Sequence, residues 1–232
     1  MTNNAVSASA RGASFLILLQ ISSRALTFGL NQILLRYLSP PLLGTAVQLE
    51  LYCISVLYFS RESLRVALQR RAEGLQAVVN LAYLAVAAGL VVSVFLGAAL
   101  SPYFRALGDV NFLGHAVWCF GAAAVVELCA EPGFVAAQQL LRYRVRASAE
   151  ASATVAKTVV TVAVVVGASR RGADVGVLPF ALGQLAYAAT LLVVYVGYMA
   201  GGVGEDGSSL LPRRIQRSVS KRGTQMNADK SK

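Results

Sequence analysis

Gln20, Arg24, Thr27 and Asn31 interrupt an apolar run at spacings of four, three and four, so they share one face of a helix. A guanidinium among amides and a hydroxyl has no nucleophile or general base for bond-making, but it offers an anion a fixed charge and hydrogen bonds. If Phe15 to Leu35 is the apolar segment, Arg24 lies about 13 Å from its start, too deep to reach either surface of a ~30 Å hydrocarbon layer. Glu50 lies at a similar depth in the next apolar run, about 12 Å from Leu42. Two readings follow from this placement. Arg24 and Glu50 neutralise each other as an ion pair, or Arg24 faces a cavity and meets an anionic headgroup.

A second set of charges sits nearer the other end of the apolar runs. Glu127 and Glu131 are one helical turn apart, and Pro132 beside them is expected to kink their helix. Lys157 lies in the following apolar run, close enough in sequence to neutralise that pair. Arg61, Glu62 and Arg65, with Leu64, Ala67 and Leu68, read either as an amphipathic turn at the membrane surface or as a solvated loop that sets topology.

The elements that carry these residues are apolar stretches of spanning length. The chain is 56% hydrophobic and 14% charged, more apolar than a soluble core requires. Spans are expected at about 13–38, 42–60, 76–100, 112–135, 149–168 and 177–200. They lack the period-2 alternation of barrel strands, and backbone polar groups in lipid must be satisfied internally, so the expected fold class is an all-α polytopic bundle of six helices. Ser39, Pro40 and Pro41 are expected to end the first helix, Ser101 and Pro102 the third, and the basic run Arg142 to Arg146 to separate the fourth and fifth. Residues 1–200 form this membrane unit. Residues 201–232 form a basic tail whose composition predicts disorder.

Of the 21 basic residues, Arg36, Arg105, Arg170 and Arg171 fall on one side and Arg24 and Lys157 within spans. The remaining 15 lie on the amino-terminal side, which places both termini in the cytosol. The net charge of +10 is dispersed over short loops and the tail, so anionic lipid headgroups, not nucleic acid, are the expected partner. Gly202, Gly204 and Gly207 match the spacing of a dinucleotide-binding loop, but they follow an apolar helix and precede a polar tail, and they read as a linker. Cys53, Cys119 and Cys129 lie within spans as reduced packing residues, and His115 is the single histidine. No multi-histidine metal site, nucleotide loop or hydrolase motif is available, so neither metal nor cofactor is expected.

The run ASFLILLQISSRALTFGLNQILLRYLSPPLLG at 13–44, with QLELYCISVLYFSRESLRVALQR at 48–70, ELCAEPGFVAAQQLLRYRVRASAE at 127–150 and FALGQLAY at 180–187, resembles the Rft family of eukaryotic oligosaccharide-lipid translocation proteins. The likeness runs from Ala13 to Tyr198. It implies a multi-pass protein of the endoplasmic reticulum, a flippase and not an enzyme, within the multidrug, oligosaccharidyl-lipid and polysaccharide exporter superfamily. The implied fold is two six-helix lobes around a cavity, and the implied substrate is dolichyl-diphosphate-linked Man5GlcNAc2, moved from the cytosolic to the lumenal leaflet for N-glycosylation. On that reading Arg24, helped by Arg61 and Arg65, attracts the diphosphate, while Gln20, Asn31 and Gln184 offer hydrogen bonds to the sugars. Family members are longer, so this chain is expected to correspond to their amino-terminal lobe, completed by a missing lobe or by self-association. A non-transporting scaffold of the glycosylation machinery and a nonfunctional truncated product are the competing expectations.

Overall fold

The computed structural model of the chain describes residues 2–69, 75–106 and 110–200. Seven helices follow in order: α1 (Thr2–Leu34), α2 (Pro40–Gln69), α3 (Leu75–Ala106), α4 (Leu113–Cys129), α5 (Glu131–Gln139), α6 (Tyr143–Arg170) and α7 (Leu178–Ala200). The fold is all-α, and the described residues include no strand. The glycine-rich stretch and basic tail at 201–232 lie outside the described residues.

Among the described residues five segments are long and apolar enough to cross a membrane: Pro40–Val66, Gln76–Phe104, Leu113–Gln139, Tyr143–Arg170 and Leu178–Tyr198. The third of these combines α4 and α5. The first of the six expected spans is a helix, α1, which is not among these five. α2 continues past the expected end at 60 to Gln69, so Arg61, Glu62 and Arg65 belong to a continuous helix.

The prolines act locally in three ways. Pro40 opens α2 rather than closing α1: the Leu43 amide donates to the Ser39 carbonyl, and proline at the first helical position sacrifices no bond. Pro102 does not end α3, which runs on to Ala106. Proline cannot donate to the carbonyl four residues back, that of Ala98, and the Ser101 hydroxyl donates to that oxygen instead at 2.9 Å. Pro132 breaks the fourth span as expected, dividing it at Ala130 into α4 and α5. The basic run from Arg142 to Arg146 is only partly a separator, since α6 starts at Tyr143 and takes Arg144 and Arg146 into its first turn.

α7 packs between α6 and α4, while α2, α3 and α4 pack mutually and α5 lies on α3. Two buried clusters fill the interior. Leu49, Tyr52, Cys53 and Val56 of α2 meet Phe120, Ala124 and Leu128 of α4, and Val78 and Ala82 of α3 meet Phe134 of α5, Ala149 and Ala153 of α6, and Tyr195 of α7. Small residues set the close approaches, as expected where lipid supplies little hydrophobic drive for helix association. A Cβ on Gly183 would overlap Thr161 Oγ1 and stand 3.0 Å from the Lys157 carbonyl oxygen. At one end, Asn111 Nδ2 donates to Asp174 at 2.7 Å and ties the α3–α4 connection to the α6–α7 connection.

α1 packs on α6 through Leu19, Ser23, Thr27, Leu30 and Leu34. Gln20, Arg24 and Asn31 lie beside that seam and are exposed.

Gly183→Leu is expected to push α6 and α7 apart and cost about 1–3 kcal/mol. Gly167→Ala, where a Cβ meets nothing within 4 Å, is expected to leave stability unchanged or raise it. Thermal unfolding of the purified chain in detergent checks both; equal melting temperatures for Gly183→Leu and the parent would refute the close α6–α7 crossing.

Candidate functional site

One face of α2 carries Glu50, Cys53, Arg61 and Arg65, and each meets a polar group from another helix. Lys157 Nζ of α6 lies 2.6 Å from Glu50 Oε1. Gln184 Nε2 of α7 lies 3.7 Å from Cys53 Sγ. Arg61 Nη1 donates to Glu127 Oε1 of α4 at 2.9 Å, and Arg65 holds both oxygens of Glu131 of α5 through Nε and Nη2, the latter at 2.8 Å. Arg61 also approaches Glu131 at 3.7 Å, which links the two bridges. The two glutamates are 5% and 3% exposed. Carboxylates this deeply buried require paired charge, and a planar guanidinium provides it with directed donors.

Phe134 of α5 extends the cluster. Arg65 Cζ lies 4.0 Å from its ring centroid and Arg146 Cζ of α6 lies 4.9 Å away. Arg146 is in turn bonded to Glu150 at 3.0 Å. The ring faces attract both cations while its edge meets Tyr195 of α7 in a T-shaped contact. This end of the lobe is thus fastened across α2, α5, α6 and α7.

The pairing differs from the sequence expectation in two respects. Glu50 is bound by Lys157, not by Arg24, because α1 packs on α6 and not chiefly on the α2 helix that follows it. Glu127 and Glu131 are bound by Arg61 and Arg65, 66 residues earlier, which leaves Lys157 to Glu50. A signal for the second pairing existed: both arginines and both glutamates are spaced i, i+4, the spacing that lets two helices form two bridges side by side. Phe134 and Cys53 carried no comparable signal.

Among the described residues Arg24 makes no ion pair, and Gln20, Arg24 and Asn31 are brought together on an exposed strip. Thr27, grouped with them by spacing, turns toward α6 and donates its hydroxyl to the Arg24 carbonyl at 3.0 Å. Gln184 lies elsewhere, 6% exposed in the interior. The geometry holds charges neutralised inside the lobe and exposed cations, of which Arg24 is the one set within the apolar run of α1. Among the described residues no arrangement of nucleophile and base accompanies either.

The family model described as Rft protein matches residues 8–231. The chain belongs to the Rft family. It is 37% identical over 231 residues to the Man(5)GlcNAc(2)-PP-dolichol translocation protein RFT1 of Yarrowia lipolytica, covering 90% of this chain and 34% of the relative. The proteins of the same name from Candida glabrata and Xenopus tropicalis are 33% and 32% identical, covering 92% and 88% of this chain and 44% and 38% of those relatives. This Rft chain therefore spans well under half the length of the curated relatives it matches. No solved structure matches it.

In this Rft chain, Glu131→Leu is expected to cost about 3–5 kcal/mol, since it strands Arg65 without its carboxylate. Arg65→Leu combined with Glu131→Leu is expected to recover most of that loss. The check is denaturant unfolding of the four corners of the double-mutant cycle; strictly additive losses would show that the bridge does not couple α2 to α5.

Proposed function

We propose that this Rft chain takes part in moving a dolichyl-diphosphate-linked oligosaccharide, Man5GlcNAc2-PP-dolichol, from the cytosolic to the lumenal leaflet of the endoplasmic reticulum membrane for N-glycosylation, with both termini in the cytosol. The observation that carries the reading is Arg24: an exposed cation near mid-span with no ion pair among the described residues, flanked by Gln20 and Asn31. A charge at that depth is costly, and such charges characteristically face a cavity or pathway. The names of the curated relatives supply the substrate.

The mechanism is electrostatic and involves no covalent step. Arg24 meets the diphosphate, while the amides of Gln20 and Asn31 exchange hydrogen bonds with sugar hydroxyls that would otherwise need water. Arg61 and Arg65 act as a second diphosphate contact only if they exchange Glu127 and Glu131 for phosphate oxygens. Gln184 joins only if the interior opens. Rocking access between leaflets needs an opposing wall, which the additional length of the relatives, or a second copy of the chain, supplies. Membrane lipids fill the rest of the lobe's perimeter.

Arg24→Ala, introduced into the corresponding full-length protein, is expected to lower N-glycosylation, and Arg24→Lys to retain most of it, because lysine keeps the charge without the planar fork. Gel mobility of a reporter glycoprotein reads both. Normal glycosylation in both variants, each expressed at the parent's level, would refute the charge role.

A further inference from the structure

The substrate reading above leaves the hydrocarbon tail free in the bilayer, but the fold holds a cavity suited to it. A groove of about 910 Å³ opens between the second half of α3 and most of α4, with Tyr52 of α2 in its floor. It runs from Leu90 to Phe104 along α3, about 21 Å at 1.5 Å per residue, some two-thirds of the thickness of a hydrocarbon core of about 30 Å. It reaches from the α3–α4 connection, at Phe104 and Leu113, to Val126, next to the Glu127 that Arg61 binds.

Its chemistry is that of a hydrocarbon site. None of its lining residues is Lys, Arg, Asp or Glu. The hydroxyl at its floor is already satisfied, since Tyr52 Oη donates to the Ser93 carbonyl at 2.9 Å and lies 3.2 Å from Ser93 Oγ. Apart from the indole N–H of Trp118 in its wall, the groove offers a polar ligand little, whereas an uncharged chain loses nothing by covering the Tyr52 floor. Tyr52 fits beneath the groove only because Gly97 and Gly121 lack side chains: a Cβ on either would stand 3.1 or 3.0 Å from Tyr52 Oη. Gly114 widens the groove, and a Cβ there meets nothing within 4 Å. Trp118, 74% exposed, stands as one wall. The volume falls in the range of sites that enclose a ligand, larger than a packing defect.

We propose that the α3–α4 groove seats the polyisoprenoid tail of the lipid substrate. The class of chain rests on the proposed function; the site rests on the cavity. Seating the tail there tethers the lipid to the lobe while the diphosphate and sugars move along the separate polar strip of α1.

The test is photolabelling of the full chain in phosphatidylcholine nanodiscs with a dolichyl phosphate carrying a diazirine in its tail, read by mass spectrometry of the peptide that spans α4. Labelling is expected within 113–126 and is expected to be displaced by unlabelled dolichyl phosphate against the standing excess of phosphatidylcholine. Gly114→Phe or Ala122→Trp is expected to lower it about tenfold, equivalent to ~1.4 kcal/mol. Val91→Trp, on an exposed part of α3 outside the groove, is expected to leave it unchanged. Arg24→Ala is also expected to keep the label, which separates a failure of the headgroup role from a failure of the tail site. Label spread evenly over the exposed faces of α3 and α7, indifference to both groove-filling variants, or cross-linking of two chains through Trp118 would overturn the proposal.

Discussion

The cost of placing a charge in hydrocarbon governs this lobe. α2 carries Glu50, Arg61 and Arg65 in a helix whose span extends to Val66, and each charge is matched by a partner from α6, α4 or α5. Each match fixes a rotation and a depth, because Arg61 and Arg65, one turn apart on α2, can meet Glu127 of α4 and Glu131 of α5 together in few registers. The break at Ala130 belongs to the same arrangement. It separates Glu127 at the end of α4 from Glu131 at the start of α5, and Pro132 supplies it. Phe134 then converts the ion pairs into a wider fastening by accepting Arg65 and Arg146 on its ring.

Neutralisation inside the lobe decides which groups remain for function. Arg61 and Arg65 are committed to buried carboxylates, so they hold helices together before they can meet a ligand. Arg24 is committed to nothing among the described residues and stands on an exposed strip with two amides. Apolar surface is divided in the same way. Leu84, Val91 and Phe95 of α3 and Val193 and Val196 of α7 are exposed outside the groove, while the α3–α4 groove gathers uncharged side chains around one cavity. A polar strip on α1 and an apolar groove on α3 and α4 are the two surfaces a lipid with a large polar head requires.

Much of this was legible in the residues. Apolar run lengths gave the helical class and the positions of the helices, and Pro132 announced the break in the fourth span. Local chemistry explains where the reading differed: Pro102 is tolerated because the Ser101 hydroxyl takes over the Ala98 carbonyl, and α2 outruns its apolar stretch because its arginines find carboxylates. Partner choice was less legible. Pairing Glu50 with Arg24, one of the two readings, assumed that consecutive helices are neighbours, whereas α1 docks on α6 and Lys157 reaches Glu50 from a helix 107 residues away. The groove was not legible at all, since it depends on Gly97, Gly114 and Gly121 facing one space from two helices, and no sequence spacing reports that.

The central claim is that pairing commits Arg61 and Arg65 to carboxylates and leaves Arg24, within the apolar run of α1, to take an anion, and arginine side-chain nuclear magnetic resonance tests it most directly. The chain labelled with nitrogen-15 at arginine, in detergent, would be titrated with farnesyl diphosphate, with Arg24→Lys, Arg61→Lys and Arg65→Lys assigning the signals. The account predicts that the Arg24 Nε–H resonance moves with added diphosphate while those of Arg61 and Arg65 stay in place. Movement of the Arg61 and Arg65 resonances with Arg24 unperturbed would contradict it.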